Sequence, residues 1–328
     1  MIGMFKREKE LMLFGLSPNQ HSFEGLGLFL FIYIGASLFA AVLTAPTYWL
    51  VQFVDSVNST ETTRWLLGKR IDIFYDRLRW VPIILGLPWM MKRCRLFSIR
   101  NLGLPLSAKS FSVFAKFWIA GIALSVFVFT FQYFFCNVKL ADGFCFDKLL
   151  NAAFSALLAG LILGFLEELV MRCLIMRSVY TAFDALSAVV LSSLFFAYKH
   201  FKVPNSIWDN LPGGAHNSSW DIGFFVAWYD TVGIAHTFSF MHFAALAMFG
   251  AVLAMIYIRT KLLWAPIAMH GGIVFSIQTY RKIFDIGESP NLVYFGSAGM
   301  TNGWLALGLL CVIFAALCLW KPKDSAAR

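Results

Sequence analysis

The sequence has little charge for its length. Only 14% of its 328 residues are charged and 59% are hydrophobic, whereas a soluble globular domain carries about 25% charge. Several apolar stretches approach the ~20 residues that cross a bilayer as a helix. The composition therefore excludes an ordinary soluble domain, and the net charge of +9 does not indicate nucleic-acid binding. Basic residues beside membrane spans are typical topology signals that face anionic lipid.

Motifs of several protein classes are missing too. The sequence has no GxSxG elbow of serine hydrolases, no GxGxxG or P-loop for a nucleotide, and no HExxH zinc helix. We find no inverted repeat, which makes a proton-coupled carrier a weaker hypothesis than an enzyme. We expect neither a cleavable signal peptide nor a lipidation site.

The six cysteines include no CxxC pair and no zinc-like spacing. Cys136 and Cys145 flank one short predicted loop. In an oxidising compartment this pair could form a disulfide. The spacing alone does not decide whether it does.

Eight apolar stretches predict an all-α, polytopic helical membrane protein. They cover residues 26–54, 80–91 with an upstream extension through Phe74, 111–135, 149–176, 182–201, 236–258, 262–284 and 304–320. We expect a cytosolic lead-in over 1–24, one integral membrane domain over 25–320 and a polar tail over 321–328. Most Lys and Arg residues fall on the side of the termini, so the positive-inside rule predicts cytosolic termini in the cell (inner) membrane.

Two glutamates and an arginine lie inside the fourth predicted span. A central Asp, Lys or Arg costs ~2.5–3.5 kcal/mol on insertion scales, and such groups are usually functional. Glu168 and Arg172 are four residues apart and are predicted to pair. Glu167 is rotated from Glu168 by about 100°, so we expect it to meet a partner across the bundle. Gly160 and Gly164 would let another helix approach closely. The alternative interpretation of these charged residues is an ion pair that only stabilises helix packing.

Two intramembrane histidines are the expected partners. Glu167 and His200 are equidistant from a predicted turn at 183–184, so they should lie at similar depth and form an acid–base pair. The alternative is a solvated His200 beside Lys199. His270, in the seventh span, is followed by two glycines that leave room for a substrate backbone. The alternative interpretation of His270 is that it only makes a structural hydrogen bond to a carbonyl.

The same three residues offer a metal site. Glu167, His200 and His270 with one water would suit catalytic zinc. Their origin on three different helices, without HExxH, argues against it. We therefore expect no cofactor and keep zinc at these residues as an open alternative.

The order of these motifs resembles that of the CPBP family, the CAAX proteases and bacteriocin-processing enzymes that are also called Abi proteins. The similarity is carried by EExxxR at 167–172, FxxxH at 196–200 and the later His270. It covers about residues 111–284. The resemblance implies a CPBP-like helical core and a glutamate-type intramembrane endopeptidase that cuts a membrane-tethered or lipid-modified peptide.

The resemblance also implies individual roles. Glu167 would be the general base that activates water, His200 would position or polarise that water, and His270 would stabilise the oxyanion. The supporting positions of the motifs are Glu168, Arg172 and Phe196.

One position departs from the family pattern. An Asn often follows the last histidine by one turn, and Val274 stands there in this sequence. One oxyanion donor is worth ~10²–10³ in rate. Gln278 and His242 are our candidate substitutes. The alternative is a slow enzyme, or a catalytically silent scaffold that binds a partner membrane protein.

Overall fold

A computed structural model describes residues 24–93, 99, 102–201, 208, 211, 213–214, 216–233, 235, 238–297 and 299–320. The predicted tail 321–328 and nearly all of the predicted lead-in 1–24 lie outside the described residues. The described chain is almost entirely helical, which confirms the all-α prediction.

The helices and strands are numbered here in chain order. The α-helices are α1 Glu24–Val57, α2 Glu61–Leu67, α3 Ile71–Arg93, α4 Ala108–Phe135, α5 Phe146–Glu168, α6 Arg177–Ala182, α7 Ala185–His200, α8 Ile222–Val232, α9 Phe240–Thr260, α10 Trp264–Ile283, α11 Leu292–Phe295 and α12 Trp304–Leu319. A π-helix over Leu169–Met176 joins α5 to α6, and strands β1 Val138–Leu140 and β2 Phe284–Ile286 form an antiparallel pair.

Each of the eight predicted spans coincides with a helix. Among the described residues, four helices are long and apolar enough to cross a membrane: Gly27–Val57, Ala108–Phe135, Phe146–Tyr180 and Phe240–Thr260. The other four predicted spans form α3, α7, α10 and α12, which have 16 to 23 residues. The predicted turn at 183–184 lies between α6 and α7, as expected.

The stretch between the fifth and sixth predicted spans contains one more helix, α8, which begins at Ile222. With 11 residues, α8 is too short to resemble a membrane span, so apolar length does not reveal it. Trp208, in the same stretch, is buried in a hydrophobic core with Tyr48, Phe74 and Ile222.

The described residues form two compact units. Unit 1 comprises those of 96–198 and 239–320, and unit 2 comprises those of 24–95 and 199–238. In unit 2, α1 packs against α3 and α8. Tyr48 of α1 and Phe74 of α3 meet edge to face with ring centres 5.2 Å apart. Gly223 of α8 lies against the backbone of Ala41, where a Cβ atom would clash.

In unit 1, α10 is the central helix and packs against α4 and α5. Helix α7 approaches α9 closely, because a Cβ at Gly250 would lie 3.1 Å from Ser193 Cα. At the end of α9, Arg259 donates hydrogen bonds to the carbonyls of Leu317 and Cys318 in the last turn of α12. Such donation satisfies carbonyls that a helix end leaves without partners.

Cys136 directly follows α4, and Cys145 directly precedes α5. Both are free thiols in the described structure, so the disulfide alternative is not realised there. Burial raises the pKa of the Cys136 thiol above its ordinary value. A raised thiol pKa lowers the thiolate fraction at neutral pH, which makes this cysteine a poor nucleophile.

Candidate functional site

The site is assembled where α5 and α10 cross. A Cβ at Gly164 would lie 3.0 Å from Ile267 O and 3.1 Å from Gly271 N, and a Cβ at Gly160 would lie 2.5 Å from Gly271 O. These contacts confirm the prediction that the two glycines permit close helix approach. The crossing brings the end of α5, which carries both glutamates, beside His270 of α10.

A π-helix follows the two glutamates directly. It spans Leu169–Met176, and the N–H of Arg177 bonds to the carbonyl of Arg172 five residues earlier. All eight of its residues are buried. This element was not predicted, because nothing in its apolar pattern separates i→i+5 bonding from an ordinary helix. π-Helical turns are rare in proteins, and many of those that occur lie at functional sites.

The predicted ion pair of Glu168 and Arg172 is confirmed. Arg172 Nε donates to Glu168 Oε2 at 2.7 Å, and neither side chain has any solvent exposure. The guanidinium also lies 5.9 Å from the ring centre of Phe196, within the range of a cation–π contact. A fully desolvated pair of this kind is intolerant of losing either partner, since the remaining charge would be buried alone.

Glu168 has a second partner that the sequence analysis did not assign. Its Oε1 atom lies 3.1 Å from His270 Nδ1. An ionised carboxylate only accepts hydrogen bonds, so we assign the donating hydrogen to Nδ1. This bond fixes the orientation and tautomer of the imidazole, as carboxylates behind functional histidines commonly do. Glu168 therefore links Arg172 to His270.

The other side of the imidazole faces Glu167. His270 Nε2 lies 3.8 Å from Glu167 Oε2, which is too long for a direct hydrogen bond. The Glu167 side chain is 22% exposed, whereas that of Glu168 is 0% exposed. Glu167 is thus the more exposed of the two glutamates, and within unit 1 it faces His270.

Two aromatic rings enclose His270. Phe196 and Phe249 each meet the imidazole edge to face, with ring centres 5.7 Å and 5.4 Å away. Both phenylalanines are buried, and His270 itself is 3% exposed. The apolar wall lowers the local dielectric constant, which strengthens the interactions among the charged groups.

His200, the residue predicted to position the water, is the last residue of α7. It lies one turn after Phe196, at the point where the chain passes into unit 2. Val274 follows His270 by one turn on α10 and is half-buried, and its side chain has no hydrogen-bond donor. The role of His200 stays a prediction.

The two candidate substitutes for the oxyanion donor lie further along their helices. His242 is in the first turn of α9, where its Nδ1 is 3.1 Å from Thr301 O. It precedes Phe249, the residue of α9 that contacts His270, by about 10 Å at ~1.5 Å per residue. Gln278 follows His270 by about 12 Å on the same basis. Their proposed roles also stay predictions.

Comparison with known proteins finds one family model that matches part of the chain. Residues 149–276 match the family model described as type II CAAX prenyl endopeptidase Rce1-like. The matched range contains both glutamates, the π-helix and His270, and it confirms the resemblance to the CPBP family. The chain matches no curated protein and no solved structure. The match supports a CAAX-type intramembrane protease in general.

Proposed function

We propose that this protein is an intramembrane endopeptidase that hydrolyses a peptide bond of a membrane-associated or lipid-modified protein or peptide, using water activated by Glu167. One observation carries the proposal. The partly exposed Glu167 side chain faces the Nε2 atom of His270, whose other nitrogen is held by the buried Glu168. This is the arrangement of a general base beside an oriented imidazole.

The first step takes place between Glu167 and His270. A water bound beside the Glu167 carboxylate and His270 gives its proton to the carboxylate as its oxygen bonds to the scissile carbonyl carbon. The carbonyl π-electrons move to the oxygen, which becomes an oxyanion. The C–N bond then breaks, and the proton on Glu167 passes to the leaving amine. The low-dielectric wall strengthens charge stabilisation in both steps.

We assign the oxyanion to the side of His270. The Glu168 hydrogen bond at Nδ1 directs Nε2 toward the same space as Glu167. In its protonated form this nitrogen donates to the oxyanion, and the carboxylate of Glu168 offsets the resulting imidazolium charge. Val274 supplies no second donor, so we expect a slower reaction than that of members with Asn there.

His200 completes the proposal as the residue that positions the water. It lies four residues after Phe196 on α7, so the two side chains share a helix face. Phe196 packs against His270. The proposal for His200 rests on this shared helix face.

The direct test is Glu167→Gln in purified protein reconstituted in lipid, with a lipid-modified CAAX peptide as substrate. Gln keeps the shape and loses the base, so we expect kcat to fall at least ~10²-fold, as for loss of a general base. Glu288→Gln, an exposed carboxylate in unit 1, is the matched control and should retain full activity. Wild-type turnover by folded Glu167→Gln would refute the proposal.

Two alternatives are distinguished by this assay together with a cellular phenotype and a chelation experiment. A silent scaffold, which Val274 favours, predicts no turnover by the wild type and an unchanged cellular phenotype for Glu167→Gln. Zinc is the other alternative, because a carboxylate behind Nδ1 is typical of zinc-bound histidines. Glu167 and His270, with the predicted His200, would hold the ion, which would polarise water. Activity that a chelator abolishes and zinc restores would favour the metal, and we expect activity to survive chelation.

We further propose residence in the cell (inner) membrane with both termini in the cytosol. The support is the distribution of Lys and Arg among the spans. Reporter fusions at each end test this orientation, since a reporter active only in the cytosol should function at both. We expect lipid and a membrane-tethered substrate as partners, and no nucleic acid.

A further inference from the structure

Unit 2 contains a cluster of charged and aromatic side chains that the proposed reaction does not use. It consists of Tyr33 on α1, Asp76 and Arg79 on α3, Asp230 on α8 and Lys199 at the end of α7. We call these five residues the unit 2 polar cluster. Ionisable groups between apolar helices are expensive and usually have a role.

Arg79 is the centre of the unit 2 polar cluster. Its Nη2 atom lies 2.9 Å from Asp76 Oδ1, and its Nη1 atom donates to Asp230 Oδ2. The guanidinium lies 5.9 Å from the ring centre of Tyr33 and 5.5 Å from that of Tyr75. Its side chain is 12% exposed. Arg79 thus connects α3 to α8 by its ion pair with Asp230 and to α1 through the face of Tyr33.

Lys199 joins this cluster through Tyr33. Its Nζ atom donates to the Tyr33 hydroxyl and lies 4.5 Å from the ring centre of the same tyrosine. An unrestrained lysine side chain has about 2 kcal/mol of rotamer entropy, which must be lost when the side chain is held in one position. The contacts to the hydroxyl and to the ring of Tyr33 together hold the Lys199 side chain in a defined position. They also connect the end of α7 to α1.

The position of Lys199 gives the contact a consequence. It directly precedes His200, and both lie in the last turn of α7. The last turn of a helix lacks part of its hydrogen bonding and frays readily. A side chain fixed at Lys199 restrains the backbone that carries His200. Catalytic groups lose rate steeply when they are displaced by about 1 Å.

We propose that Lys199 and Tyr33 form a clamp that positions His200 for the reaction, with Arg79 and its two aspartates holding Tyr33 in place. Lys199 and Tyr33 are positioning residues, and neither needs to touch the substrate. The activity part of this proposal rests on the proposed peptidase function. The clamp itself is a property of unit 2 and is measurable without a substrate.

The test compares four single variants and one double variant by hydrogen–deuterium exchange and by steady-state kinetics. Tyr33→Phe removes only the hydroxyl, Lys199→Met removes the charge, and Lys199→Arg keeps it. Tyr294→Phe, at a tyrosine of unit 1 that is 58% exposed, is the matched control. We expect about tenfold faster exchange at the end of α7 in Tyr33→Phe and Lys199→Met, the loss of one hydrogen bond to a charged group.

The kinetic signature separates positioning from a general structural role. We expect kcat to fall about 10- to 100-fold in Tyr33→Phe and Lys199→Met with KM unchanged. Lys199→Arg should recover most of the loss. The double variant Tyr33→Phe/Lys199→Met should be no worse than Lys199→Met, since Lys199→Met already removes the hydrogen bond that Tyr33→Phe breaks. A common decrease in thermal stability and substrate affinity would instead indicate a structural role and would overturn the proposal.

The failures of the two proposals are distinguishable. Unchanged exchange at the end of α7 in both Tyr33→Phe and Lys199→Met overturns the clamp, whatever the activity. Faster exchange with unchanged kcat overturns the positioning of His200. Wild-type turnover by Glu167→Gln refutes the proposed chemistry, and the exchange measurement still decides whether the clamp exists.

Discussion

The two units each contain an ionic cluster, and the clusters differ in how they meet solvent. In unit 1, Glu168 and Arg172 are fully buried and sit four residues apart on one continuous helix. In unit 2, Arg79 pairs with Asp76 and Asp230, whose side chains are 46% and 30% exposed. Water screens the second cluster and not the first. The same chemical pairing should therefore have different consequences when it is broken.

The largest effect is expected for Glu168→Gln. The substitution leaves the Arg172 guanidinium buried without its counter-charge, and breaking a buried pair in this way costs about 3–5 kcal/mol. It also weakens the bond that orients His270. Heat-induced unfolding followed by tryptophan fluorescence in detergent should show a markedly lower midpoint, and activity should be lost with it.

A useful check on this prediction is the partner substitution Arg172→Met. If the buried pair is the cause, the double variant should be more stable than Glu168→Gln alone, because no unpaired charge remains. A double variant that is as unstable as the sum of the two single variants would contradict this account.

The next effect concerns the helix crossing that assembles the unit 1 cluster. In Gly271→Ala, the new Cβ would lie 2.6 Å from Trp118 Cζ3 and 2.8 Å from Gly160 O. Overpacking of this kind costs about 1–3 kcal/mol. It should also lower kcat, because α10 must move and carries His270. Gly308→Ala is the matched control, since nothing lies within 4 Å of its added Cβ.

Equal stability of Gly271→Ala and Gly308→Ala would contradict the crossing as described. An intermediate result would be informative as well. A normal unfolding midpoint with reduced kcat would show that the helices accommodate the methyl group by a shift that displaces His270 from Glu167.

The sequence predicts the unit 1 cluster only in part, for a physical reason. Glu168 and Arg172 are related by helical spacing, which sequence displays directly. The contact between Glu168 and His270 depends on how α5 crosses α10, and the spacing of either helix does not encode that angle. The role of Glu168 as the residue that orients His270 was therefore not predicted.

The fold was more predictable than the site. Apolar runs near the length of a membrane span identify α1, α4 and α9 without tertiary information, because the bilayer sets that length. The exceptions carry weaker signals. Helix α8 has only 11 residues, and the π-helix differs from its flanks in hydrogen bonding rather than in composition.

The unit 2 polar cluster shows the other limit of sequence reasoning. Tyr33 and Lys199 are 166 residues apart, and no local pattern connects them. Lys199 was considered only as the neighbour of a solvated His200. In the structure it is held by a tyrosine of the first helix, which could be found only once the packing of unit 2 was known.

The smallest effect is expected for Asp230→Asn, the counterpart of Glu168→Gln in unit 2. Arg79 keeps Asp76 as a partner, and the partly exposed site lets water replace the lost carboxylate. Exposed pairs are worth up to about 1 kcal/mol, so the unfolding midpoint should fall only slightly. High salt should reduce the difference from wild type further. A loss equal to that of Glu168→Gln would show that burial does not distinguish the clusters, because the two substitutions remove the same charge and differ chiefly in their exposure to water.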